Sequence, residues 1–186
     1  QILTGLNTYT GTTTVNAGVL QVGTATTGNA STLGSGAVTV NSGGLIIGGS
    51  STPSIVGAAL TSGPLGTGTL TMAANTTLIS TAAANTLANK VVFSGDITFS
   101  GVPNLTLNGE STFGSATTNV TVTAPAMVAT LGGKFTNAGA LTINKLGLGT
   151  LVFSTATLDG VPSNNVFGGT VNVNAGTLQV TGPTGA

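Results

Sequence analysis

Apolar residues recur at every second position in short runs along this chain, and each run ends in a turn of Asn, Ala, Ser or Gly. Thr13 and Val15 precede Asn16-Ala17-Gly18, with Leu20 and Val22 beyond it, and Val38 and Val40 lead through Asn41-Ser42-Gly43 to Leu45 and Ile47. The same alternation places Leu70 and Met72 before Leu78, Val91 and Phe93 before Ile97 and Phe99, and Leu105 and Leu107 before Phe113. It continues with Val120 and Val122, then Leu141 and Ile143 before Leu151 and Phe153, and last Val171 and Val173 before Leu178 and Val180. A period of two means a strand with one face buried and the other wet.

One turn and its flanks are written repeatedly. Thr14 to Gly23 reads TVNAGVLQVG, Thr39 to Gly49 reads TVNSGGLIIGG, and Asn172 to Gly182 reads NVNAGTLQVTG. This is one corner of a coil, with Asn16, Gly18, Asn41, Gly43, Gly147, Gly149, Asn174 and Gly176 as its turn residues. From Val15 to Val173 the residues preceding the turns stand about 23 apart on average, in steps of 14 to 32. Repetition on this scale predicts an all-β solenoid, a parallel β-helix of six to eight coils forming a rod roughly 30–40 Å long. A β-sandwich also uses many short strands, but consistent two-residue hairpin turns are missing, with Asn108-Gly109 the clearest exception. Residues 24–36, 49–66, 80–90 and 154–166 read as loops leaving the coil. Phe93, Phe99, Phe113, Phe135 and Phe153 are expected inside the later coils, with Val15, Leu20, Val40, Leu45 and Ile47 filling the first third and Phe167 at a corner.

Composition narrows the function. Only 3 % of the 186 residues are charged, the net charge is zero, and Arg, His, Cys and Trp are absent. That leaves no electrostatic footprint for nucleic acid, no disulfide framework and no thiolate metal site. No apolar run is long enough to span a bilayer, and no signal-peptide pattern opens the chain. Residues 1–186 are expected to form one β-helix segment, an internal piece of a longer surface protein.

The run Leu141-Thr-Ile-Asn-Lys145-Leu-Gly147-Leu-Gly149-Thr-Leu-Val-Phe-Ser154, followed by Phe167-Gly-Gly-Thr170 and Val173-Asn-Ala-Gly-Thr-Leu-Gln-Val180, resembles the passenger-associated repeat of bacterial autotransporters. Gly5 to Val22, with Tyr9 and Gly11, is similar to the second half of another copy. The resemblance implies a right-handed β-helix in a large secreted or surface-exposed protein. Thr155 to Asn165 is longer than the loop usual in that family.

Candidate chemistry is sparse. β-Helices include polysaccharide-cleaving enzymes, for which two carboxylates are needed. Only Asp96, Glu110 and Asp159 exist, and Asp96 with Glu110 is the one pair that neighbouring coils could bring together. Lys90, Lys134 and Lys145 are isolated in sequence, and Lys145 reads as a solvated coil corner. Gly147-Leu-Gly149 lacks the third glycine and the helix of a phosphate loop. Four Asn-x-Ser/Thr sequons, at Asn29, Asn75, Asn104 and Asn119, are what a chain rich in Asn and Thr produces by chance. Thr12/Thr14, Thr69/Thr71 and Thr121/Thr123 would suit an ice-binding face only if the coils were regular.

The sequence therefore predicts a non-catalytic structural or adhesin-like segment at the bacterial surface, with no cofactor or metal. Its expected partners are neighbouring coils of the same or another copy and an unidentified surface ligand, with neither nucleic acid nor membrane insertion. Alternatives are a self-stacking subunit of an extracellular filament or matrix, a polysaccharide-active enzyme and an ice-binding solenoid.

Overall fold

The computed structural model describes residues 1–24, 33–49, 53–56, 59–81, 85–102, 104–137, 140–154, 157–158, 161–162 and 169–181, without the side chains of 136, 137, 157, 158, 161 and 162. Three parallel sheets wind around one lumen. The first holds β1 (Ile2–Leu3), β3 (Val19–Val22), β5 (Gly44–Ile47), β9 (Thr76–Ser80), β12 (Ile97–Gly101), β15 (Thr117–Val122), β18 (Leu141–Leu146) and β22 (Gly169–Val173), stacked in that order. The second stacks β2 (Thr13–Val15), β4 (Val38–Val40), β8 (Leu70–Met72), β11 (Val91–Phe93), β14 (Ser111–Phe113) and β17 (Phe135–Asn137). The third holds β10 (Asn85–Leu87), β13 (Leu105–Leu107), β16 (Val128–Leu131), β19 (Thr150–Ser154) and β23 (Thr177–Thr181). The result is a β-solenoid whose first sheet is eight rungs tall, its second six and its third five, where motif spacing suggests six to eight coils.

Alternation decides which residues enter the lumen. Val15, Val40, Met72, Phe93 and Phe113 are stacked by strand register into one inward column, and Leu45, Leu78, Phe99 and Val122 into another. All are buried, and burying each such side chain contributes about 1.5–3 kcal/mol. Small inward residues fill the first turns, and a run of rings, Phe93, Phe113, Phe135 and Phe153, fills the later ones. Phe167 lies outside the described residues. Outward positions carry Thr in register, as with Thr14, Thr39 and Thr71 on the second sheet and Thr86, Thr106 and Thr130 on the third. β-Branched hydroxyl residues suit a wetted strand face.

Several expectations are corrected. Residues 80–90 are not wholly a loop, because Asn85–Leu87 is the first rung of the third sheet. Its inward residues include asparagine, which hides the apolar alternation: buried Asn85 donates to Ile47 O (3.1 Å) and Ser80 Oγ (2.8 Å). Asn89, also buried, donates to Gly66 O and Gly68 O, so amides stitch this rung to the preceding turn. Asn108-Gly109 is likewise no hairpin, since β13 and β14 lie in different sheets and it forms the corner between them. The expected loop segments 49–66 and 154–166 contain antiparallel hairpins, β6 (Ser54–Val56) with β7 (Ala59–Ser62), and β20 (Thr157–Leu158) with β21 (Val161–Pro162). Leu33 and Leu65, from segments also read as loops, are buried in the core.

Candidate functional site

The predicted corner residues fall at two kinds of corner. Asn16-Ala17-Gly18 and Asn41-Ser42-Gly43 join the second sheet to the first, whereas Gly147-Leu148-Gly149 and Asn174-Ala175-Gly176 join the first to the third. Gly18, Gly43, Gly147 and Gly176 take positive φ, which favours glycine. Asn41 Nδ2 donates to Asn16 Oδ1 at 2.9 Å, bonding one corner to the next. A Cβ on Gly43 would stand 1.9 Å from Gly18 O, and one on Gly176 2.4 Å from Gly147 O, so these corners stack backbone on backbone. Gly149 is enclosed by Ala124 O and Val122 Cγ1, and Asn174 N donates to Lys145 O.

The carboxylates are not brought together. Asp96 sits at the corner between β11 and β12, Glu110 at the one between β13 and β14. Asp96 accepts from Asn119 N at 2.8 Å and Asn119 Nδ2 at 2.7 Å. The ladder continues outward along the rod, Asn144 Nδ2 donating to Asn119 Oδ1 (3.0 Å) and Asn172 Nδ2 to Asn144 Oδ1 (2.9 Å). Glu110 pairs with half-exposed Lys90 at 3.1 Å. Asp159 lies outside the described residues. Among the described residues no three His, Cys, Asp or Glu side chains cluster as a metal site, and no helix is long and apolar enough to cross a membrane. A shallow cleft of about 270 Å³ opens beside β7, lined by Leu6, Asn7, Leu33, Ser35, Thr61 and Thr67, with no charged side chain.

Lys145 overturns the reading of a solvated corner. It is fully buried, in an inward column between Val120 below and Val173 above. Its Nζ donates to Leu146 O (2.8 Å), Gly147 O (2.8 Å) and Ala175 O (3.1 Å). Burial pushes the ammonium below its ordinary value of 10.5, since desolvation disfavours the charged form. The parity of Leu141, Ile143 and Lys145 was the available signal: all three share the inward face.

Residues 1–22 and 143–180 match the family model of the passenger-associated-transport-repeat. These two segments are similar to that repeat. The first match ends with β3, and the second runs from β18 into β23, taking in the Lys145 corner and the Asn174-Ala175-Gly176 corner stacked on it. Together the matched repeat segments cover about a third of the chain. No curated protein and no solved structure matches the chain significantly.

Proposed function

We propose that this chain is a non-catalytic stalk segment of a secreted bacterial surface protein of autotransporter type, holding binding surfaces away from the cell. The observation that carries the reading is the uninterrupted parallel ladder from β1 to β22, with matched passenger repeats at both ends of the chain. A ladder of backbone hydrogen bonds over a stacked apolar lumen is rigid along its axis and needs no charged chemistry. The winding is right-handed on this reading, as parallel strand crossovers are in about 98 % of cases. Protease treatment of intact producing cells tests the placement: the segment is expected to be cleaved from the surface, and full protection until lysis would overturn it. Turnover of neutral or acidic glycans that disappears in Asp96→Asn would restore the enzyme reading.

A second reading, end-to-end stacking into a filament, draws on the near-absence of charge: 3 % of residues are charged and the net charge is zero, which removes the repulsion that would oppose stacking. Electron microscopy at high concentration distinguishes the two, with discrete short rods counting against the filament.

A further inference from the structure

The three lysines differ sharply. Lys90 and Lys134 are exposed, whereas Lys145 is enclosed entirely by protein. We propose that Lys145 is a coil latch, its ammonium the fixed cation of a carbonyl nest completed only when the Asn174-Ala175-Gly176 corner stacks over the Lys145-to-Gly149 corner. Two of the carbonyls, Leu146 O and Gly147 O, belong to its own corner, and the third, Ala175 O, comes from the next coil. An ammonium has three donors and no acceptor, so three carbonyls satisfy it and no carboxylate is needed.

The backbone of the same residue makes the reciprocal contact. Lys145 O accepts from Asn174 N at 3.0 Å and Ala175 N at 3.3 Å. Residue 145 thus engages the upper corner at both ends, through its carbonyl and through its side chain. An apolar residue would fill the column equally well, as Val120 does one rung below. What the ammonium adds is a directional bond from side chain to backbone across coils, beside the strand pairing of β18 with β22 and of β19 with β23. The pairing of a Lys-x-Gly-x-Gly corner with an Asn-Ala-Gly corner is then a matched two-coil unit. This inference concerns assembly of the solenoid and stands whether or not the chain serves as a surface stalk.

Hydrogen exchange on Lys145→Met tests it, because methionine keeps an unbranched stem and removes the cation. A hydrogen bond to a charged group corresponds to roughly 10- to 100-fold in a local opening equilibrium. Amides of β22 and β23 are therefore expected to exchange about 10- to 100-fold faster in the variant, with β8 to β14 unchanged. Unchanged exchange in β22 and β23, or equal acceleration along the chain, would overturn the latch. Acylation of the unmodified chain with an amine-directed reagent gives an independent measurement. Lys90 and Lys134 should react at once, and Lys145 only at the rate at which β23 opens. Modification of Lys145 as fast as Lys90 would also overturn the proposal.

Discussion

Removing the ring of Phe93 tests the solenoid at a buried residue that contacts two other rings. Phe93 is fully buried in β11, with Phe99 of β12 at 6.1 Å between ring centroids, nearly edge-on, and Phe113 of β14 at 5.2 Å. One partner lies on the next face of the same coil and the other on the next rung of the same sheet. Phe→Ala in a packed core costs about 3–5 kcal/mol, including the cavity left behind. Each lost aromatic pair accounts for about 0.5–1.5 kcal/mol of that. The upper half of the range is expected, because strands on both sides hold the lumen open and limit its collapse.

In a globular core such a loss would lower the stability of the whole domain. A solenoid is coupled mainly between nearest neighbours, so Phe93→Ala should act on β8, β12 and β14 and fade beyond them. Hydrogen exchange read by peptide is the assay. Amides of β8, β11, β12 and β14 are expected to exchange at least about 100-fold faster, as about 3 kcal/mol implies. Those of β3 and β23 should change little. The stacked contact Phe113–Phe135 and the edge-on contact Phe135–Phe153 give the effect one route toward β17 and β19, so decay should be slower in that direction than toward β2. Equal acceleration in β3, β12 and β23 would refute nearest-neighbour coupling.

Three further outcomes follow from individual contacts. Gly133→Ala would place a Cβ 1.9 Å from Gly109 O, whereas Gly11→Ala meets nothing within 4 Å; the first should lower the thermal midpoint by several degrees and the second by little, a cost of about 1–3 kcal/mol or more against a few tenths. Glu110→Gln breaks a half-exposed ion pair and should cost under about 1 kcal/mol, with the difference shrinking in high salt; denaturant titration at two ionic strengths checks both points. For Lys145 the folded pKa is lowered by burial, so the unfolded form holds the proton more tightly. As pH rises from that lowered value toward about 10.5, the lysine contribution to stability therefore increases, and below the window the desolvation cost is fully present. The neutral amine keeps two N–H donors for the carbonyl nest without the desolvation cost of the charge. Exchange protection of β23 should accordingly rise with pH in that range more in the unmodified chain than in Lys145→Met, after correction for intrinsic exchange rates.

Period-two parity was the legible part of this fold. It placed Val38, Val40, Leu70, Met72, Val91 and Phe93 inside the lumen, and nothing in the structure disturbs those assignments. Parity failed where chemistry was allowed to override it. Lys145 shares the inward face of Leu141 and Ile143, but a charged residue is almost never fully buried without partners, and its partners are backbone carbonyls that no side-chain pattern reveals. Asn85 and Asn89 were hidden for the same reason. Each occupies a buried position where an apolar residue was expected, and each donates its side-chain N–H groups to carbonyls of earlier turns while its Oδ1 accepts no hydrogen bond among the described residues. The Asp96–Asn119–Asn144–Asn172 ladder was equally invisible, because its members lie 23 to 28 residues apart and only the strand register aligns them.

Register also explains why uneven motif spacing does not make an uneven rod. Steps of 14 to 32 residues between turns suggested irregular coils, yet the sheets pair residue for residue across successive rungs. Extra length is absorbed at corners and in the hairpin β6–β7, where no rung must match it. The corner motif itself is not tied to one side of the triangle. Val15-Asn-Ala-Gly18 turns the chain from the second sheet to the first, while Val173-Asn-Ala-Gly176 turns it from the first to the third. Both need the same local physics: an extended strand, a left-handed glycine, and a second strand whose alternate residues face inward. What assigns a copy to its corner is the layer beneath it, since Gly43 must settle on Gly18 and Gly176 on Gly147 with no space for a side chain between. The motif therefore specifies that a corner forms, and stacking specifies where.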